Sequence, residues 1–271
     1  MKIFMAFPGG KHKVLTMSYD DGKTQDLKLV KIFNDNGIRG TFHLNSGLVN
    51  DGVRLPMDAW VDLYKGHEIA CHTYSHPTYA RCPREEIISE ILMDRTCIEN
   101  VLKKPVHGLS YPNGSYDNDI ISMLPSLGIK YSRTTKSTRS FSIPENFLAW
   151  HPTCHHNDEK LFELGQEFIK LNKTQYFYLF YVWGHSYEFE RDNNWDRITE
   201  FCKMMGNHDD IWYATNIEIV ECFENFKRLD FTADLSYATN PTLSDVYIII
   251  NSKHTVCIPS GQTVCLKKYD N

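Results

Sequence analysis

Cationic excess is missing from this sequence: 29 Lys and Arg stand against 34 Asp and Glu, a formal net charge of −5. A protein that grips nucleic acid through its phosphates needs clustered cations to neutralise them, so this balance excludes such a binder. Long apolar runs are missing too. No stretch approaches the ~20 consecutive apolar residues of a membrane-spanning helix, and Pro8-Gly9-Gly10 breaks the first residues before a secretory leader could form. The expectation is a cytoplasmic chain with no membrane partner. The eight cysteines contain no CxxC pair and form no dense framework, which removes the usual zinc-ribbon and dithiol spacings. Repeats and low-complexity segments are also absent.

What is there is the composition of a packed protein, 42% hydrophobic and 23% charged over 271 residues, enough for a large core. Apolar runs at 14–18, 38–44, 68–71, 106–111, 129–133, 147–150, 175–183 and 211–214 read as strands. Between them, residues 24–36, 56–65, 83–103, 117–127, 159–171, 195–205 and 216–228 carry helical spacing. The clearest is 83–103, with Ile87, Ile91, Ile98 and Leu102 on one stripe. Strand followed by helix, repeated this often, implies parallel strands joined by right-handed crossovers. For this length the economical closure is a (β/α) barrel, with an open doubly wound sheet as the alternative. After Arg228 the character changes. Runs at 247–251, 255–258 and 263–266, separated by Asn-Ser-Lys and Pro-Ser-Gly, read as a small antiparallel tail. Residues 1–229 are therefore expected to form the barrel domain and 230–271 a small β-rich appendage.

Barrel enzymes carry their chemistry on the loops after the strands. Asp20-Asp21-Gly22 follows the first strand. Adjacent carboxylates at a strand end point in different directions, so one can ligate a metal while the other accepts a proton; an acidic turn closed by glycine is the plainer alternative. Cys71-His72-Thr73-Tyr74-Ser75-His76 follows the third strand, and its two histidines can converge on one ion, a role for which neutral imidazole suits zinc. Together the two segments offer a carboxylate and two imidazoles, which leaves room for water and substrate. Ser110-Tyr111-Pro112-Asn113-Gly114 follows the fourth strand and can present a backbone N–H to a developing oxyanion. Trp183-Gly184-His185 ends the penultimate one. His151, His155 and His156 surround Cys154, but nothing in their spacing calls for a second metal site.

The ordered set Asp20-Asp21-Gly22, His72-Thr73-Tyr74-Ser75-His76, Tyr111-Pro112-Asn113-Gly114 and Gly184-His185 resembles the polysaccharide deacetylases of carbohydrate esterase family four, which share the chitooligosaccharide deacetylase homology domain. The resemblance implies a distorted (β/α)7 barrel holding a divalent metal, usually zinc, and removal of acetyl groups from an N- or O-acetylated carbohydrate. It implies Asp20 as catalytic base, Asp21, His72 and His76 as metal ligands, the Asn113 N–H as oxyanion donor and His185 as general acid. Tyr111, Pro112, Arg133 and Trp150 are the expected substrate-side residues. Relatives of the fold that open cyclic amides or imides, and a catalytically silent carbohydrate-binding relative, are the alternatives. Two departures stand out. The Arg that often tethers the base in the third motif is absent from Leu109-Ser110-Tyr111-Pro112, and Ala149 precedes Trp150 where an Asp often pairs with the acid. Arg133, at a strand end, is the expected substitute for the first. Asp196, ahead of Glu188, is the expected partner of His185, because a helix start is more rigid than a loop.

Overall fold

The computed structural model describes residues 1–270. A short strand, β1 (Ile3–Ala6), precedes the barrel. The barrel strands are β2 (Lys13–Asp20), β3 (Gly40–Leu44), β4 (Glu68–Cys71), β5 (Gly108–Ser110), β6 (Tyr131–Arg133), β7 (Cys154–His155) and β8 (Tyr178–His185). All run parallel, in the order β6-β5-β4-β3-β2-β8-β7. A parallel bridge from Arg133 to Trp150, in the segment that leads into β7, joins the two ends of that order and closes the ring. This is a distorted (β/α)7 barrel. Its distortion is visible at β2: β8 pairs with one edge along Lys13–Asp20, while the other edge is shared. β9 (Ile211–Tyr213) takes Lys13 to Leu15 and β3 takes Met17 to Asp20.

The crossovers are α1 (Asp26–Asp35), α2 (Trp60–Leu63), α3 (Arg84–Leu102), α4 (Asn118–Met123), α5 (Leu161–Lys170), α6 (Ser186–Arg191), α7 (Trp195–Met205) and α8 (Asn216–Lys227). On α3 the residues Ile87, Ile91 and Ile98 are buried, each contributing about 1.5–3 kcal/mol, and Asp94 lies on the same buried face. Such a stripe is what turns a helix towards a barrel.

Strand alternation divides β2 between two environments. Leu15, Met17 and Tyr19 pack in the layer of helices. Thr16 and Ser18 face the barrel interior, where Thr16 donates to Asn216 at 2.8 Å and Ser18 meets the Tyr181 hydroxyl at 2.9 Å. Asn216 in turn donates to Tyr181 at 2.6 Å, and the buried Glu68 accepts from Thr41 at 2.9 Å and Tyr131 at 2.8 Å. Asp20, next on the inward face, stands above this polar interior.

Three local expectations change. Residues 147–149 form a 3-10 turn rather than a strand, because the Asn146 side chain accepts the Leu148 N–H at 2.9 Å and curls the chain. Residues 56–65 hold only a 3-10 turn and the single turn α2, anchored where Trp60 Nε1 donates to the Leu55 carbonyl at 3.2 Å. Helix α6, directly after β8, is too short to show a period in sequence.

The C-terminal strands β10 (Asp230–Phe231), β11 (Tyr237–Thr239), β12 (Val246–Ile250), β13 (His254–Ile258) and β14 (Thr263–Cys265) form two antiparallel sheets, β1-β12-β13 and β10-β11-β14. Ile248, Ile250, Val256, Ile258 and Leu266 fill the core between them. The register Ile3↔Ile250 to Ala6↔Tyr247 places β1 in this C-terminal sheet. Among the described residues no helix is long and apolar enough to cross a membrane.

Candidate metal and catalytic site

At the end of β2 the chain turns sharply, with Asp21 at φ +80° and Gly22 at φ +62°. Few L-residues adopt such values, Asp among the more tolerant. The turn is held by the Asp21 N–H, which donates to the His43 carbonyl at 2.9 Å, and by Arg54 Nε, which donates to the Asp21 carbonyl at 3.0 Å. Its effect is to send the two carboxylates apart. Asp20 points inward and is 2% exposed. It makes an ion pair with Arg133 and lies 3.3 Å from His43 Nδ1 and 3.7 Å from His72 Nε2. Burial opposes the Asp20 charge, but Arg133, then His72 and His43, outweigh it and hold the carboxyl well below the usual range.

His72 and His76 lie on a loop wrapped by two left-handed residues, Thr73 at φ +68° and His76 at φ +62°. Thr73 Oγ1 accepts the His76 N–H at 3.0 Å, and the two rings stand 4.7 Å apart. Asp94 of α3 reaches under the loop, accepting from the His72 N–H at 3.0 Å and the Ser46 N–H at 2.8 Å. Burial raises the Asp94 carboxyl to about 7. His72 Nδ1 donates to the Ser110 carbonyl at 3.0 Å, which leaves the Nε2 lone pair free and facing Asp21 Oδ1 at 3.9 Å. Burial lowers His72 to about 4, so the ring is neutral. Asp21 Oδ1 is buried without a hydrogen-bond partner among the described residues. The donor atoms of Asp21, His72 and His76 lie within 4.8 Å of one another. A neutral imidazole with its lone pair turned inward and a carboxylate oxygen that has Arg54 at 3.8 Å but no hydrogen bond fit a divalent ion.

Arg133 is fully buried, bonded to Asp20, with its guanidinium 4.2 Å from the Trp183 ring centre; it serves Asp20 rather than a substrate. Trp150 is fully buried against Tyr131, Phe147 and Tyr181, so the structure puts it in the core and not at the mouth. Tyr111 stacks on Tyr116 at 4.8 Å and donates to the Leu148 carbonyl at 2.6 Å. Pro112 is buried and Asn113, at φ +55°, is exposed in the turn that follows. Asn113 Nδ2 donates to Thr78 Oγ1 at 2.9 Å, tying this turn to the chain just past His76. Sequence reasoning missed His43 and Ser110. His43 is the register partner of Asp20 on β3, and a histidine near a strand end was a usable signal. Ser110 links His72 to Asp20: its hydroxyl lies 2.6 Å from His72 Nδ1 and donates to Asp20 at 3.3 Å.

On the far side of the mouth stands His185, and its partner is Glu188 rather than Asp196. His185 Nδ1 lies 3.4 Å from Glu188 Oε2, and the His185 N–H donates to the same oxygen at 3.2 Å. The reason is local: His185 is the N-cap of α6, and a residue three positions into a helix folds back over its cap. Asp196 is exposed on α7. Glu188 also faces His155 Nε2 at 3.1 Å and His156 Nε2 at 3.3 Å. His156 packs between Tyr19 and Phe189, and a Cβ on Gly184 would come within 2.0 Å of its Nδ1, so glycine is required there. Burial works against a charged His185, yet Glu188, Asp20 and Asp21 raise its pKa above that of an ordinary imidazole.

Residues 8–132 match the family model for polysaccharide deacetylase, the stretch that carries the first three motifs. The chain resembles the polysaccharide deacetylases. A chitin deacetylase of Cryptococcus neoformans var. grubii is 25% identical over 114 residues, 42% of this chain and 24% of that protein, so the chain spans about a quarter of this curated relative. Among solved structures, a candidate polysaccharide deacetylase from Mycobacterium smegmatis has a TM-score of 0.61 at 17% identity, over 82% of this chain and 93% of that one. A carbohydrate esterase family four pseudoenzyme from Bacillus anthracis has a TM-score of 0.51 at 15% identity, over 80% and 68%. Both likenesses are of fold.

Proposed function

We propose that this protein is a metal-dependent hydrolase that removes acetyl groups from an N- or O-acetylated carbohydrate. The observation that carries the reading is the convergence of Asp21, His72 and His76 beside a buried carboxylate already committed to the anionic state by Arg133. The likeness to the polysaccharide deacetylases and to a fungal chitin deacetylase supports the choice of bond. Asp21, His72 and His76 would hold a divalent ion, zinc by the borderline character of two imidazoles, which would supply a Lewis acid for the acetyl carbonyl and for the attacking water. Asp20 takes the proton of that water, and Arg133 with the Ser110 hydroxyl fixes which oxygen receives it. The Asn113 N–H steadies the charge that grows on the carbonyl oxygen. His185 returns a proton to the departing amine or alkoxide, with Glu188 holding the ring.

The test is acetate release from a panel of acetylated saccharides, alongside ring opening of small cyclic amides, with purified protein before and after chelation. Acetate release that chelation abolishes and zinc restores is the expected result. Ring opening without acetate release would move the bond to a cyclic amide. Inactivity on both panels at full metal occupancy would make the chain a silent relative.

A further inference from the structure

The geometry points to a second divalent-cation site, formed by His155, His185 and Glu188, whose occupation withdraws His185 from proton transfer. This rests on the role given to His185 above only for its effect on turnover; the site itself stands on its own residues. Their donor atoms lie within 4.8 Å of one another. His155 Nε2 and His185 Nδ1 stand 3.1 and 3.4 Å from Glu188 Oε2. Two ligands of a tetrahedral zinc, each at ~2.0–2.1 Å, are about 3.3 Å apart. A fourth donor is close by: His156 Nε2, in a residue with no exposure, lies 3.3 Å from the same oxygen. Neither nitrogen of His156, nor His185 Nδ1, makes an aligned hydrogen bond among the described residues. One carboxylate oxygen thus has three ring nitrogens and a backbone N–H around it, more neighbours than its lone pairs can serve. Imidazoles with a single carboxylate select the borderline cations, zinc, cobalt, nickel or copper, over magnesium or calcium.

The two sites differ in readiness. His72 already carries its proton on Nδ1, so its ligating nitrogen is free. His155 Nδ1 instead accepts the Asn157 N–H at 3.1 Å, which puts the proton of the neutral ring on Nε2. An ion binding there must shift that proton and release the Asn157 N–H to water. The second site is accordingly the weaker of the two and fills second.

Protein stripped by chelation is dialysed against a zinc series and the bound metal counted. The expected count at saturation is two ions per chain, falling to one in His155→Ala and to one in His72→Ala/His76→Ala, the ion lost from His155→Ala being the weaker. His155→Gln, which keeps a donor for Glu188 but no ring nitrogen, is expected to lose the same ion with an unchanged near-ultraviolet circular dichroism spectrum. Acetate release should rise and then fall as zinc increases, and the falling part should vanish in His155→Gln. A single ion in the native chain that persists in His155→Gln, or two in the folded His155→Gln protein, overturns the second site. A single native ion that disappears in His72→Ala/His76→Ala would remove this proposal alone and leave the deacetylase reading in place. A single ion that instead survives there and disappears in His155→Gln would count against the Asp21, His72 and His76 site.

Discussion

Opposite sides of the barrel mouth carry the same ingredients in different proportions. On one side Asp20 is surrounded by His43, His72 and Arg133. On the other Glu188 is surrounded by His155, His156 and His185. Each is a carboxylate among imidazoles, but the guanidinium beside the first, Arg133, is fully buried, whereas the one beside the second, Arg191, lies 3.7 Å from Glu188 on an exposed side chain. Burial is the difference, because a buried guanidinium stays charged and unscreened, whereas an exposed one is screened by water and an imidazole gives up its proton near neutrality. Asp20 is held in its anionic form. Glu188 shares its field with three rings whose protons exchange.

The comparison breaks most severely at Asp20. Asp20→Asn should cost about 10² to 10⁴ in turnover, the usual range for a lost general base, while bound metal stays unchanged by metal analysis; near-normal acetate release in that variant would remove Asp20 from the role. Arg133→Met tests the guanidinium itself. A fully buried carboxylate left without its cation should lower unfolding stability by about 3–5 kcal/mol, read from urea denaturation, and a loss below 1 kcal/mol would show that water or a neighbouring histidine replaces it.

Smaller effects are expected on the Glu188 side. His185 has its pKa raised in the folded protein, so it stays protonated to higher pH than an ordinary imidazole, and turnover that needs its proton falls as pH rises through that raised value. In Glu188→Gln the fall should come at lower pH, measured as the alkaline limb of the rate profile on an N-acetyl substrate; an unmoved limb would detach Glu188 from His185. The same sign applies to stability: this pair's contribution is fully present below the unfolded value of about 6.5 and is lost as pH climbs past the folded one. Asp196→Asn should be the mildest change, within about 0.5 kcal/mol in stability and with no movement of the limb.

The two sides were not equally legible in the sequence. Asp20-Asp21-Gly22 and the paired histidines announce themselves because each group is contiguous and follows a clear apolar run. The alternation of strands and helices likewise predicted the barrel. Arg133 could be chosen because a strand-end position limits where a long side chain can go. Glu188 and Asp196 could not be ranked from spacing. The choice depended on whether His185 begins a helix, and a six-residue helix has too few turns to reveal a period. His155 and Glu188 are separated by the whole of α5 and β8, so only the parallel pairing of β7 with β8, which sets His155 opposite Trp183, brings them together. The 3-10 turn at Phe147–Ala149 was hidden for a different reason: its apolar residues read as strand, and one Asn side chain overrides them.

The pairing of β1 with β12 sets an order of events during folding. Its register joins Ile3 to Ile250, so this sheet cannot form until two segments far apart in sequence have met. β2 and β3, by contrast, lie close in sequence and can pair early, since short loops close at lower entropic cost than long ones. β1 is thus among the last strands to find its place, and until then its edge waits unpaired beside a forming barrel. Pulsed hydrogen exchange during refolding gives the check: β1 amides should gain protection together with those of β12 and after those of β2, and simultaneous protection of β1 and β2 would contradict this order.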